Sequence, residues 1–354
     1  MRAIVKTEPG PGHLELQDVT EPITGPDQVK IRVMAAGICG TDVQIYQGDW
    51  PVHPPLILGH ELAGEIVEVG RGVIGLSVGD RVTTETDAYL CGKCTYCRSG
   101  NEHLCPSRKA IGTTTHGGFA DYLVIRAAGV HRLPDSVSIE AGALSEPLAV
   151  AVHAVCERGQ VQPDELVIVI GPGTIGLLAA QVARAMGARV IVAGLARHVE
   201  RFRLAKQLGI DHVLFLDKPD SVEQILAISN GLGAHRVIEC SGAPTSLKRS
   251  PHLLRKGGTI VLVGFFSTLV DGVDLDLLIN KEISLLSSRG KRHSCWPIVI
   301  DLLAKEKVNT EALITHRFAL AEWQTAFSTG QQSGSKVLLK TPSIRQGGFS
   351  RGDA

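Results

Sequence analysis

Residues 166–186 read LVIVIGPGTIGLLAAQVARAM. The unbroken aliphatic run from Leu166 to Ile170 predicts a strand buried on both faces, and the small and apolar residues after Gly176 predict a helix. Between them stands Gly171-Pro172-Gly173-Thr174-Ile175-Gly176. A G-x-G-x-x-G stretch that leaves a strand and opens a helix lets a dinucleotide pyrophosphate approach the helix N-terminus closely. The same glycines would also serve a plain tight turn, and the flanking strand and helix are what favour the nucleotide. Gly, Pro, Gln and Arg interrupt the stretch, so it does not read as a membrane span.

Downstream the pattern repeats. Strands RVIVA, HVLFL, HRVIECS and TIVLVG alternate with helices VERFRLAKQLG, SVEQILAISNGLG and TSLKRSPHLLRKG, and EISLLSS closes the set. Such alternation predicts βαβ units and a parallel sheet covered on both faces. The second strand should end in an acid if the ribose 2′-hydroxyl of NAD is to be bound, yet Gly194 stands there, followed by Arg197 and Arg201. Losing the carboxylate removes repulsion of a 2′-phosphate, and arginine pairs with phosphate, which favours NADP over NAD. Alternatively, the arginines are solvated charges at a helix start.

Upstream, short apolar runs such as VKIRVMAAGIC, LAGEIVEVG and FADYLVI are punctuated by Gly and Pro, predicting a compact β-rich domain over residues 1–150. The α/β region is expected over 151–290, a return to the first domain over 291–342, and a disordered tail over 343–354. In residues 91–105, CGKCTYCRSGNEHLC, four cysteines (Cys91, Cys94, Cys97 and Cys105) fall on a loop rich in turn formers. Four thiolates at that spacing suit a closed tetrahedral zinc site, with an iron–sulfur cluster as the chemical alternative. Cys156, Cys240 and Cys295 read as core packing. Cys39, His60, Glu61 and Glu146 are each flanked by Gly or Pro turns. Cys, His and carboxylate together suit a zinc that keeps an open, catalytic position, provided that the fold brings them together.

Basic and acidic residues balance at 36 each, so no net positive field points to nucleic acid or an anionic membrane. The first residues, MRAIVKTEPG, lack the apolar segment of a secretory signal, and a chain of this size needs no disulfides. A cytoplasmic protein is expected.

With these residues in view, the chain resembles the zinc-dependent medium-chain alcohol dehydrogenase superfamily. GHELAGEIVEVG matches its G-H-E-x2-G-x5-G signature through Gly59, His60, Glu61, Gly64 and Gly70, and EPLAVAVHA resembles the polyol (sorbitol) and threonine dehydrogenase branch. The resemblance implies an α/β protein with a GroES-like β-rich catalytic domain and a Rossmann-type doubly wound parallel-sheet domain. It implies two zinc ions, one structural in the cysteine loop and one catalytic on Cys39 and His60, with Glu61 and Glu146 sharing the carboxylate duty. Asp42 would orient His60, and Thr41 would take the first proton from an alcohol substrate whose hydride goes to NAD(P). Gln44 stands where many relatives carry a relaying His, and the RHVER segment is about two residues longer than theirs. The substrate would be a secondary alcohol of a polyol or sugar, with threonine or another amino alcohol as the nearer alternative. A non-catalytic zinc- and nucleotide-binding protein is the alternative of another class, though a pure binding module needs none of the four metal-suited residues. Tyr46, Trp50, the loop at His116 and Arg289 are expected around the substrate. A homodimer or homotetramer is expected, with EISLLSS at a sheet edge.

Overall fold

The strand predicted at the centre of the α/β region, Leu166–Ile170, is buried along its whole length, as a strand covered by helices on both sides must be. The computed structural model describes residues 1–210, 212–333 and 336–341; the tail expected over 343–354 lies outside the described residues. Around Leu166–Ile170 runs a six-stranded, wholly parallel sheet. Arg189–Gly194 and His212–Phe215 lie on one side, and Ala234–Glu239, Leu254–Leu262 and Ser284–Ser287 on the other. In chain order this is 3-2-1-4-5-6, the doubly wound Rossmann arrangement that the alternation predicted. Its direction reverses between Leu166–Ile170 and Ala234–Glu239, so a crevice opens where Gly171 and Cys240 leave the sheet.

The β-rich part is built on one long strand, Gln28–Gly37. Glu61–Val69, Tyr122–Arg126 and Lys336–Lys340 all pair with it antiparallel. The last strand of the described chain is therefore woven into the first domain. Two registers fix which residues gather at one end of this strand. Gly37 pairs with Glu61, and Leu338 pairs with Gly37. Continuing both past the end of Gln28–Gly37 brings His60 opposite Ile38 and Lys336 opposite Cys39.

The helix Ser145–Val152 joins the two halves and packs on Thr174–Ala185 and on Cys295–Ala304. One apolar core runs through all three, from Leu148 and Val152 to Leu178 and Trp296. Glu146 opens this helix and faces the space between the domains.

Candidate active site

The sequence predicts a sulfur cluster, a metal-suited group and a nucleotide crevice. In the loop of residues 91–105 the only regular elements are a single helical turn, Thr95–Arg98, and a three-residue turn, Glu102–Leu104. The four sulfurs meet there as free thiols: Cys94 and Cys97 are 3.5 Å apart, Cys91 and Cys105 3.6 Å, Cys91 and Cys97 3.9 Å. A tetrahedron with sulfur about 2.3 Å from its centre has edges of about 3.8 Å, so the set fits a zinc ion at the middle. The backbone amides of Lys93 and Cys94 lower the Cys91 thiol to about 6, whereas burial and the neighbouring sulfurs push the Cys97 thiol up to about 12.

Cys39, His60 and Glu61 converge. Their donor atoms lie within 4.8 Å of one another, at the point to which the strand registers lead. Gly37 is essential to this. A Cβ there would sit 2.2 Å from a Glu61 carboxylate oxygen, so only glycine leaves room for Glu61 to fold toward Cys39. Asp42 is fully buried; its carboxylate accepts the backbone N–H of Cys39 at 2.9 Å and of Gly59 at 3.2 Å. It thereby ties the Cys39 loop to the His60 loop and lies 3.6 Å from His60 Nδ1. Burial opposes charge on His60, yet Asp42 and Cys39 outweigh it and hold its pKa well above the ordinary value. A donor set that attracts a proton this strongly suits a divalent cation, and its S, N and O atoms suit zinc.

Glu61 and the nearby Glu146 each have their own lysine, and neither lysine stands out in the sequence. Lys336 Nζ donates to both Glu61 oxygens, at 2.8 and 2.7 Å, and to the Ile38 carbonyl at 3.1 Å. Lys291 pairs with Glu146 and also donates to the Thr86 hydroxyl at 3.1 Å. Glu146 stands outside the Cys39–His60–Glu61 trio but beside His60 in the wall of a cleft of about 650 Å³. Despite burial, Lys291 and His60 keep Glu146 below the usual carboxylate range. Thr41 lines the same cleft, its hydroxyl 3.9 Å from Cys39 Sγ, while Gln44 is exposed on the following helix.

Of the residues expected around a substrate, Trp50 and Arg289 line the cleft, with Thr113 and Thr114 from the loop before His116. Two do not. Tyr46 is taken up by edge-to-face contacts with Trp323 and Phe327, and exposed His116 accepts the Ile57 backbone N–H through Nδ1 at 3.2 Å. Phe265 completes the rim, set edge-on to Trp50, and no local pattern in the sequence marks it.

The crevice at the sheet reversal is a cavity of about 470 Å³ lined by Gly171, Pro172, Gly173, Gly194, Arg197 and Arg201 among others. The three glycines of the motif differ in what they do. Gly171 has φ +100°, closed to most side chains, and a Cβ on Gly176 would fall 1.9 Å from the Gly171 carbonyl. Gly173 has room for a side chain and ordinary φ, so its small size serves the cavity it lines rather than the fold. Thr174 and Ile175 begin the helix Thr174–Ala185 without lining the cavity. Gly194 is constrained by packing as well, since a Cβ there would meet Pro172 Cδ at 2.8 Å. The short turn Ala196–His198 follows it and presents Arg197 and His198 to the cavity. Arg249 and Asp217 also line the cavity, neither singled out from sequence, and Cys240, expected in the core, lines it too.

Residues 25–135 match the alcohol dehydrogenase GroES-like domain and residues 174–305 the zinc-binding dehydrogenase domain. Sorbitol dehydrogenase of Halalkalibacterium halodurans is 42% identical across 97% of this chain and 99% of its own. The chain belongs to the zinc-binding alcohol dehydrogenase family. D-arabitol-phosphate dehydrogenase of Enterococcus avium is 38% identical to this dehydrogenase over 96% of the chain and 97% of the relative. Among solved structures, a zinc-binding dehydrogenase from Sinorhizobium meliloti bound to NADP superposes with a TM-score of 0.88 at 32% identity, covering 96% of this chain and 98% of that one. The resemblance drawn from GHELAGEIVEVG and the cysteine loop thus holds along nearly the whole length, and so does the two-part GroES-like and Rossmann-type fold.

Proposed function

We propose that this dehydrogenase removes hydride from a secondary hydroxyl of a polyol, with NADP preferred over NAD as acceptor. The observation that carries the reading is the convergence of Cys39, His60 and Glu61 beside a cleft whose wall also holds Thr41 and Glu146. Polyol relatives that match nearly end to end support the substrate class. Two zinc ions per chain are inferred. One is held by Cys91, Cys94, Cys97 and Cys105; the other by Cys39, His60 and Glu61, with Glu146 positioned to approach it once released from Lys291.

Zinc bound there supplies Lewis acidity that makes an alcohol proton easier to remove near neutral pH. The nicotinamide coenzyme supplies the hydride acceptor. The chain does the rest. Asp42 keeps the Cys39 and His60 loops together and orients the imidazole. Thr41 accepts the substrate's hydroxyl proton and passes it to water, because exposed Gln44 cannot titrate. Gly171, Gly173 and Gly176 let the coenzyme pyrophosphate approach the N-terminus of Thr174–Ala185. Arg197 and Arg201 take the 2′-phosphate that a carboxylate at position 194 would repel.

Pairing along the edge strand Ser284–Ser287, where Leu285 is exposed, is the basis on which we infer a homodimer or homotetramer. Eight free cysteines fit a reducing compartment, and no helix among the described residues is long and apolar enough to cross a membrane.

The test is coenzyme reduction with polyols, polyol phosphates and threonine, run with NADP and with NAD. Oxidation of a polyol or its phosphate, abolished by Cys39→Ser, is the expected result. Turnover of threonine alone would replace the polyol reading. Turnover that survives in Cys39→Ser would remove the catalytic zinc from the mechanism.

A further inference from the structure

We propose that His198 is a third contact for the coenzyme 2′-phosphate and takes up a proton as the phosphate arrives, making NADP affinity proton-linked. The inference rests on NADP being the preferred coenzyme.

The turn Ala196–His198 and the helix Val199–Gln207 place Arg197, His198 and Arg201 along one side of the coenzyme cavity, next to Gly194. The imidazole already has a directed contact. Arg197 donates its Nε–H to His198 Nε2 at 3.4 Å, so in the neutral ring the proton resides on Nδ1. That Nδ1 is shielded from solvent and has no hydrogen-bond partner. A neutral His198 is thus held with Nε2 committed to a cation, which leaves Nε2 as the nitrogen that can face an incoming anion once Arg197 moves.

The charges around the ring explain why it stays neutral without a ligand. Burial lowers its pKa, Arg201 and Arg197 lower it further, and Asp217 opposes them. Asp217 is partly engaged elsewhere, since its Oδ1 accepts the Ala196 backbone N–H at 3.0 Å. Arg249, also in the cavity wall, is bonded to the Leu216 carbonyl and lies 3.4 Å from the Ser221 hydroxyl. Among the described residues the cavity wall therefore carries three guanidinium groups and one carboxylate, and a further positive charge on His198 is resisted.

A phosphate dianion at the Gly194 end reverses that balance. Arg197 turns from Nε2 to a phosphate oxygen. The freed Nε2 takes a proton from solvent and donates it to a second oxygen. One N–H bond forms, one proton leaves solution per NADP bound, and no other bond changes. NAD lacks the phosphate and so lacks the linkage.

The experiment measures NADP and NAD affinity for the zinc-loaded enzyme and for His198→Gln from pH 6.5 to 8.5. Proton uptake is read separately by calorimetry in two buffers of different ionisation heat. Zinc content and the unfolding midpoint establish that the variant is folded. The phosphate itself titrates near pH 6, so the native-to-variant ratio isolates the histidine. That ratio for NADP should fall with rising pH, approaching about tenfold per pH unit where one full proton is linked. NAD should show no such slope. An equal slope in both proteins, with NADP preferred, would overturn the role of His198 and leave the NADP reading standing. Preference for NAD at every pH would overturn the NADP reading and this inference together.

Discussion

Replacing Lys336 by Met tests how the charge of Glu61 is held. The two side chains are 5% and 1% exposed, and Lys336 Nζ bonds both carboxylate oxygens and the Ile38 carbonyl. Met fills much of the same volume, so the loss is chiefly electrostatic. It leaves the buried Glu61 carboxylate without its hydrogen-bonded cation, with His60, whose donor atom lies within 4.8 Å, as the nearest remaining positive charge. Breaking one side of a buried pair costs about 3–5 kcal/mol, and the metal-free protein should lose an amount in that range. With zinc on Cys39, His60 and Glu61, the metal replaces the lost ammonium as countercharge. The loss should then be smaller by about 1.4 kcal/mol or more, which by linkage means zinc bound at least about tenfold more tightly. Urea unfolding of both proteins, with and without zinc, gives the double difference, in which the contribution of the cysteine loop cancels. Competition with a chromophoric chelator gives zinc affinity independently. Equal destabilisation in both forms, or weaker zinc binding by the variant, would refute Glu61 as the carboxylate that the metal engages.

Other perturbations test the same geometry. Gly194→Asp should not by itself produce an NAD enzyme: its Cβ would meet Pro172 Cδ at 2.8 Å, an overpacking worth about 1–3 kcal/mol. Combined with Pro172→Ala the strain should ease, and the ratio of NADP to NAD kcat/KM should fall. Cys97→Ser should lower zinc content by one ion per chain and lower the thermal midpoint, as measured by metal analysis and calorimetry, while Cys39→Ser should lower zinc content with a smaller change in midpoint. Glu85 is buried, yet hydrogen bonds from His131 and His293 and the charge of Arg126 lower its pKa from 4.5 to about 2. A depressed carboxylate stabilises the fold above its unfolded pKa and loses that contribution as pH falls through the folded value. Stability should thus drop by about 3 kcal/mol between roughly pH 4.5 and pH 2 on this account, from 1.36 kcal/mol per unit, and Glu85→Gln should flatten that part of the acid-unfolding curve.

Features that depend on neighbours in the chain could be read directly. LVIVI followed by GPGTIG contains its own strand, turn and helix start, and the structure keeps all three in place. The four cysteines of residues 91–105 lie within one loop, so their spacing nearly determines their meeting. His60 and Glu61 were recognisable as a signature, but nothing local shows which carboxylate stands with Cys39. The register of Gln28–Gly37 against Glu61–Val69 decides that, together with the space that Gly37 leaves. Likewise no periodicity could mark Lys336 or Lys291, whose partners lie 275 and 145 residues away in sequence. Of the positions expected around a substrate, the loop before His116 reaches the cleft through Thr113 and Thr114, whereas Tyr46 packs on Trp323 and His116 itself accepts the Ile57 N–H, because helix rotation and loop closure set which side chains face the cleft. The sequence by itself determined the class of fold, the sulfur loop and the nucleotide turn, since each is written in adjacent residues. Tertiary structure alone decided which charges face one another around the cleft. That outcome depends on strand registers and domain packing between segments far apart in the chain, and local chemistry carries no record of it.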